Sequence, residues 1–304
     1  MRHYRGLALG ASLLVLLSAC ATGGGSKPTL KVGSDGFYEA KLMAEIYAEA
    51  LEAKGFQIDR TAIGIGARKV SAPALESGQI DLKPEYIGSG LAFYDKTKIS
   101  GDPAANSAAL QAILTGKGGG ITVLNYSPAA DQNAFVVRKE TADQLHLVKM
   151  SDLTAVASQL KFGVATDCPT NPVCGAALKT AYGIDVANAT LLSACDTPMV
   201  QALSGKTIDV GELCSTQPDI AVNGWVVLQD DKATQPADNL APLVRNDYLA
   251  KLSAADKTTF EKVLNDVSAK MDTTTLTDLG KQVSVDKKDI AVVAKAWLTA
   301  NALI

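Results

Sequence analysis

One stretch of this chain is repeated in outline in its second half. Ala74-Leu75-Glu76-Ser77-Gly78-Gln79-Ile80-Asp81-Leu82 returns as Ala202-Leu203-Ser204-Gly205-Lys206-Thr207-Ile208-Asp209-Val210. Each copy reads as the end of a helix, a glycine stop and an Ile-Asp strand. Upstream of the second copy, Phe162-Gly163-Val164-Ala165 takes the part that Lys31-Val32-Gly33-Ser34 takes upstream of the first. Around the first copy the order of elements is explicit. Leu30–Ser34 reads as a strand. Leu42, Met43, Ile46, Tyr47, Ala50 and Leu51 recur at helical spacing from Glu39, and Gly55 ends that helix. Gln57–Ile65 reads as a second strand, Val70–Glu76 as a helix and Ile80–Leu82 as a third strand. The result is β-α-β-α-β, the order of a mostly parallel sheet with helices packed on it. Occurring twice, it predicts two similar α/β lobes.

The lobes are joined by two crossings. Ala134–Arg138 reads as the strand by which the chain leaves the first lobe, Trp225–Leu228 as a strand on the way back and Ala241–Val244 as the re-entry. Helical segments at Thr258–Met271 and Lys288–Leu303 are expected to return to the first lobe. The predicted organisation is residues 30–134 with 241–304 as lobe one and 135–240 as lobe two. Two lobes with two hinge crossings enclose a cleft that can close on a small ligand.

The N-terminus predicts an extracytoplasmic location. Arg2 and Arg5 precede an apolar run from Gly6 to Leu17, which closes on Leu17-Ser18-Ala19-Cys20. That is a secretory signal, residues 1–19, too short for a spanning helix with these flanks. Cysteine directly after Leu-Ser-Ala resembles the bacterial lipobox, which implies acylation of Cys20. Residues 20–29, with Gly23-Gly24-Gly25-Ser26, then form a flexible tether. The expected protein is a monomer whose sole link to the membrane is this lipid. Without Arg2 and Arg5 the chain has 27 basic and 32 acidic residues. No Lys/Arg run or stripe suggests a nucleic-acid partner.

Four cysteines follow Cys20: Cys168, Cys174, Cys195 and Cys214. An even number in an oxidising compartment points to disulfides, and four cysteines permit three pairings. Cys168–Cys174, clipping one short loop, and Cys195–Cys214, joining two later connections, is the favoured pairing. A zinc site lacks support, because the spacing is not that of paired knuckles and His146 has no Cys or His near it. No metal or other cofactor is expected.

At Asp81-Leu82-Lys83-Pro84-Glu85-Tyr86-Ile87-Gly88-Ser89 the chain resembles the extracytoplasmic binding proteins of ABC importers for quaternary-ammonium osmoprotectants: glycine betaine, choline and carnitine. The family pattern there is close to Ile-Asp-Leu-Tyr-Pro-Glu-Tyr-Thr-Gly-Thr. Val32-Gly33-Ser34, Pro73–Gly78, Ala181-Tyr182-Gly183, Ser215-Thr216 and Val226–Lys232 are similar in order and spacing. The resemblance runs from about Leu30 to Leu298. It implies a two-lobed periplasmic-binding-protein fold (type II-like), capture of a small solute and delivery to an ABC permease in the cytoplasmic membrane.

A quaternary ammonium donates no hydrogen bonds and is held by aromatic faces and negative charge. Tyr86, in the family motif beyond a strand end, is the leading cage residue. Ser89 is expected to donate to the ligand's polar end. Phe37 and Tyr38 after the first strand, Tyr126 and Asn133 around the first crossing, and Ser215 and Thr216 in lobe two complete the predicted wall. Asp35, Asp81, Asp131 and Gln132 are further polar candidates.

Three departures from the family pattern bear on the ligand. Cys214 stands where betaine-binding relatives carry a cage tyrosine, Pro198–Gln201 lacks an aromatic, and position 35 is Asp where many have Lys. With 5% aromatic residues, a four-tyrosine cage cannot be assembled. The ligand is then either a cation held mainly by lobe one, or a polyol, zwitterion or aromatic solute. If Cys214 is bonded to Cys195, the second-lobe wall is expected to be small and neutral, with choline or glycine betaine bound poorly. An enzyme is disfavoured by the absence of Gly-x-Ser-x-Gly, His-Glu-x-x-His and Walker patterns. Gly116-Lys117-Gly118-Gly119-Gly120 lacks the phosphate-loop spacing and reads as a flexible surface loop. A structural lipoprotein is the remaining class, and it would not need two β-α lobes.

Overall fold

The computed structural model describes residue 1 and residues 27–304. The predicted signal peptide, Cys20 and most of the tether lie outside the described residues. Among the described residues, ten strands form two five-stranded sheets. The first has the order β2-β1-β3-β10-β4, from Leu30–Asp35 (β1), Ile58–Gly66 (β2), Leu82–Tyr86 (β3), Ile121–Val123 (β4) and Leu240–Arg245 (β10). The second has the order β7-β6-β8-β5-β9, from Asn133–Val137 (β5), Phe162–Ala165 (β6), Thr190–Leu192 (β7), Val210–Cys214 (β8) and Val226–Val227 (β9). Strand for strand, the two orders are the same. In each sheet the first three strands run parallel and the fourth, which comes from the other side of a crossing, is antiparallel to its neighbours.

The repeated segment has a physical basis in both lobes. Asp81 N–H donates to Lys31 O and Asp209 N–H to Lys161 O, each at 2.7 Å. The two aspartates return the bond, accepting from Lys31 N at 3.1 Å and from Lys161 N at 3.0 Å. Ile80 and Ile208 pack over the preceding central strands at Gly33 and Gly163. A Cβ at either glycine would fall 2.7 Å or 2.5 Å from the isoleucine side chain, so the positions exclude any larger residue. At the far end, Arg245 donates from Nη1 to the Leu75 and Glu76 carbonyls in the last turn of the adjoining helix, and Arg138 donates from Nη1 to the Leu203 carbonyl near its helix end and to the Ile208 carbonyl beyond it. The Ile-Asp pairs lie just before β3 and β8 rather than within them.

Core burial assigns the helices. Helix α1 (Tyr38–Glu52) is apolar on more than one face, with Leu42, Met43, Ile46, Tyr47 and Leu51 fully buried. It lies between the first sheet and the C-terminal helices Ala254–Lys270, Thr273–Ser284 and Ile290–Ala300, which bring Phe260, Leu276 and Trp297 into the same cluster. Removing one of these side chains, as in Leu42→Ala, costs about 2–5 kcal/mol. The expectation that the C-terminal helices pack on the first lobe holds, but three helices are present where the sequence marks two. The middle one, Thr273–Ser284, buries only Leu276, Leu279 and Gly280. On the opposite side, α2 (Arg68–Ser77), α3 (Ile87–Asp95) and α4 (Pro103–Leu114) enclose Leu75, Ile80, Leu91, Leu110 and Leu114 with Leu243.

Two further expectations change. Strand β3 continues to Tyr86, through Lys83 and Glu85, because the charges of both are matched inside the protein (below). The glycine run is a packed turn: a Cβ at Gly118, where φ is 52°, would lie 2.3 Å from the Glu76 carbonyl oxygen. In the second lobe Cys168 is bonded to Cys174 and Cys195 to Cys214. Among the described residues no helix is long and apolar enough to cross a membrane.

Candidate functional site

The C-terminal ends of the parallel strands of both sheets face a common cleft of about 320 Å³. This is where loops diverge in open α/β sheets and ligands are bound. The first lobe lines it with Asp35–Phe37 at the end of β1, Gly66–Arg68 at the end of β2, Tyr86 as the last residue of β3, and Ser89 beyond it. The second lobe contributes Ala165–Asp167 at the end of β6, Leu192–Asp196 at the end of β7, and Glu212 and Cys214 on one face of β8. The two crossings run side by side behind the cleft. Ala130 bridges Asn239, and Asp131 N–H donates to Asp238 O at 3.1 Å.

Each crossing carries one carboxylate, and each carboxylate fastens a different lobe. Asp238 accepts from Gly88 N at 2.8 Å, from Ser89 N at 2.9 Å and from the Ser89 hydroxyl, so it caps the start of α3. Asp131 accepts from the Ser215 hydroxyl at 2.9 Å and Thr216 N at 3.0 Å, at the exit of β8. The lobes also meet directly, where Thr216 Oγ1 donates to Glu39 Oε2 at 2.6 Å; within the first lobe the Tyr86 hydroxyl donates to Glu39 Oε1. Burial raises the pKa of all three acids, with the charge of Asp131 adding to the effect on Glu39; Asp238 is pushed up to about 7.

Under the first-lobe wall lies a closed ionic network. Lys83 is fully buried and directs its ammonium to Asp35 at 3.1 Å, Ser71 at 2.8 Å and Glu85 at 3.0 Å. Arg68 donates to the same Glu85 from Nε and Nη2, at 3.1 and 2.9 Å. Burial opposes the charge of Glu85, but the guanidinium and the ammonium overcome it and hold its carboxyl well below the usual range. Asp35 and Lys83 are both departures from the family pattern, and the structure explains them together, since each is the other's ionic partner.

The predicted site residues divide into two groups. Phe37, Tyr86, Ser89 and Asn133 line the cleft. The Phe37 and Tyr86 rings form a tilted pair with centroids 5.9 Å apart. Four others do not line it. Tyr38 is buried beneath Gly280, where a Cβ would lie 3.0 Å from its ring. Tyr126 packs against the cluster of Ile121 and Leu243. Ser215 and Thr216 are taken up by Asp131 and Glu39, as described. The Ser89 hydroxyl, expected to donate to a ligand, already gives its single proton to Asp238.

The second-lobe wall is small, as expected beside Cys195 and Cys214, but it is acidic rather than neutral. Glu212 lies two residues before Cys214 on the same face, and Asp167 and Asp196 flank it on neighbouring loops. Arg68, Glu212 and Asp238 were not predicted. An acid inside the apolar run Val210-Gly211-Glu212-Leu213-Cys214 is itself a signal, because an unpaired carboxylate is rarely buried in a strand. Asp238 carries no comparable mark.

A cleft with two rings and many carboxylates suits capture of a small cation. A family profile described as "Substrate binding domain of ABC-type glycine betaine transport system" matches residues 28–300. The chain is 26% identical over 301 residues to the glycine betaine-binding protein YehZ of Escherichia coli (strain K12), spanning 96% of this chain and 97% of that protein. It is 23% identical over 293 residues to a glycine-betaine-binding protein of Pseudomonas aeruginosa, spanning 93% and 91%. The fold is shared with the crystal structure of a glycine betaine/carnitine/choline ABC transporter protein, at a TM-score of 0.67 and 22% identity over 90% of this chain and 99% of that one. It is also shared with an ABC-transporter choline-binding protein in complex with choline, at a TM-score of 0.65 and 15% identity over 90% and 89%. The chain belongs to the family of substrate-binding domains of ABC-type glycine betaine transport systems.

Proposed function

We propose that this protein captures a small quaternary-ammonium solute of the glycine betaine–choline class outside the cytoplasm and delivers it to an ABC permease. It does so as a monomer, without turnover or cofactor, and is held to the membrane by a lipid on Cys20. The observation that carries the reading is the pairing of Phe37 and Tyr86 at a cleft rimmed by carboxylates. Aromatic faces and negative charge are what a cation without N–H groups requires. Ser89 and Asn133 complete the ligand-facing wall, and Ser215 and Thr216 hold the lobes together behind it. The proposed lobes are residues 30–132 with 240–304, and 133–239, limits that keep β5 and β10 whole.

A second reading, a solute without a quaternary nitrogen, is favoured by one observation: no aromatic side chain of the second lobe lines the cleft. Thermal unfolding against a solute panel separates the two. A quaternary ammonium at a hundred times its Kd should stabilise the protein by about 2.7 kcal/mol. Phe37→Ala should weaken it about thirty-fold, the loss of one desolvated cation–π face. A response confined to polyols or uncharged solutes would establish the second reading, and no response to any small solute would refute both.

A further inference from the structure

Charge in the cleft is one-sided. Carboxyl side chains of Asp35, Asp131, Asp167, Asp196, Glu212 and Asp238 line it, against a single cationic side chain, that of Arg68. Arg68 directs Nε and Nη2 to Glu85, leaving Nη1. Lys83 is fully buried and its three protons face Asp35, Ser71 and Glu85, so it offers nothing to a ligand. Glu212 is 2% exposed, and its Oε2 accepts from Ala165 N at 2.7 Å. Among the described residues no donor reaches Glu212 Oε1, although the side chain lines the cleft. A buried carboxylate without a counter-charge is costly. Burial, with Asp167 nearby, accordingly pushes its pKa up to about 7.

We infer that, given the quaternary-ammonium reading above, the preferred substrate is a net cation without a carboxylate, choline-like rather than betaine-like, and that Glu212 is a specificity-determining residue facing its charge. Both ligand types present the same trimethylammonium group to Phe37 and Tyr86. They differ in the other end. A ligand carboxylate would add another anion to a wall of carboxylates, with Arg68 Nη1 as the one cationic donor lining the cleft among the described residues. An uncompensated cation instead supplies the counter-charge that Glu212 lacks, and its hydroxyl can donate to any of the free acceptors.

Calorimetric titration of the full chain with choline and with glycine betaine at pH 8 tests this. Choline is expected to bind at least tenfold tighter than betaine. Glu212→Gln should weaken choline at least tenfold and betaine less, shrinking the ratio, while Glu212→Asp keeps the order. Should the glutamine variant fail to fold, the wild-type ratio measured again at pH 6 serves instead, and it is expected to shrink. Betaine binding as tightly as choline would give Arg68 Nη1 to the ligand carboxylate and overturn the inference, as would an unchanged ratio in Glu212→Gln or at pH 6. Binding of neither compound would remove the quaternary-ammonium reading itself, and the inference with it.

Discussion

Replacing Lys83 by methionine isolates the electrostatic part of the first-lobe wall. The methionine side chain fills nearly the volume of the buried lysine stem, so packing changes little. What disappears is the ammonium at 3.1 Å from Asp35 and 3.0 Å from Glu85, which leaves Glu85 with Arg68 alone and Asp35 with the Ser71 hydroxyl but no ion-pair partner. Breaking a buried ion pair by removing one partner costs about 3–5 kcal/mol. At about 2–4 °C per kcal/mol for a protein approaching this size, the melting temperature should fall by roughly 6–20 °C. The surface pair Lys139–Asp143 is a control at a similar distance, 2.9 Å, but with side chains 68% and 63% exposed. Lys139→Ala should cost under about 1 kcal/mol. Glu85 adds a pH signature. Its folded pKa is depressed, so its contribution is present above the unfolded value and lost as pH falls through the folded one. Without Lys83 the folded pKa lies closer to the unfolded one, so that loss should be smaller and complete at higher pH. Differential scanning calorimetry from pH 3 to pH 8 measures both effects. Equal, small changes for the two variants would show that the network is solvated rather than closed, and would refute the reasoning.

Other predictions use the remaining features of the site. Glu212 and Asp238, both with pKa raised to about 7 by burial, are mostly ionised at pH 8 and mostly protonated at pH 6. Choline affinity should therefore fall by about tenfold over that interval for each carboxylate whose charge the ligand needs. The ligand-free protein should change in the opposite sense. Glu212 and Asp238 contribute stability that is full below their unfolded pKa and lost as pH rises through about 7, so calorimetry should show a higher melting temperature at pH 5 than at pH 8. Replacing Cys195 and Cys214 together by serine opens a loop of 19-residue separation and should cost about 3 kcal/mol on the chain-entropy model; an unchanged melting temperature in the absence of reductant would contradict it. Cys20→Ala should leave the fold intact and move the protein from the membrane fraction to the soluble fraction; an unmoved variant would refute the lipid anchor.

Much of the fold is legible because it rests on local and periodic signals. The helix from Tyr38 shows its apolar spacing, and the Ile-Asp repeat marks the same strand-helix junction twice, with Gly33 and Gly163 kept small by the isoleucines above them. Strand β3 is read short because Lys83 and Glu85 look like surface residues until Asp35 and Arg68 are brought to them from other elements. The site is legible in part for the same reason. Phe37 and Tyr86 lie at strand ends, which the sequence approximately locates, whereas Tyr126 and Tyr38 are turned into the core by packing that no local pattern records. Asp238 acquires its role only by folding back across the chain to Gly88 and Ser89. Glu212 could have been found, since an acid in a buried strand requires a reason.

The most direct test of the account is a crystal structure of the protein grown with choline. The trimethylammonium group is expected between the two lobes, within about 6 Å of the Phe37 and Tyr86 ring centroids, with the carboxylates of the cleft around it. A choline found outside the cleft, or a cleft that stays empty at saturating choline, would contradict the claim that these two rings and their acidic surroundings form the substrate site.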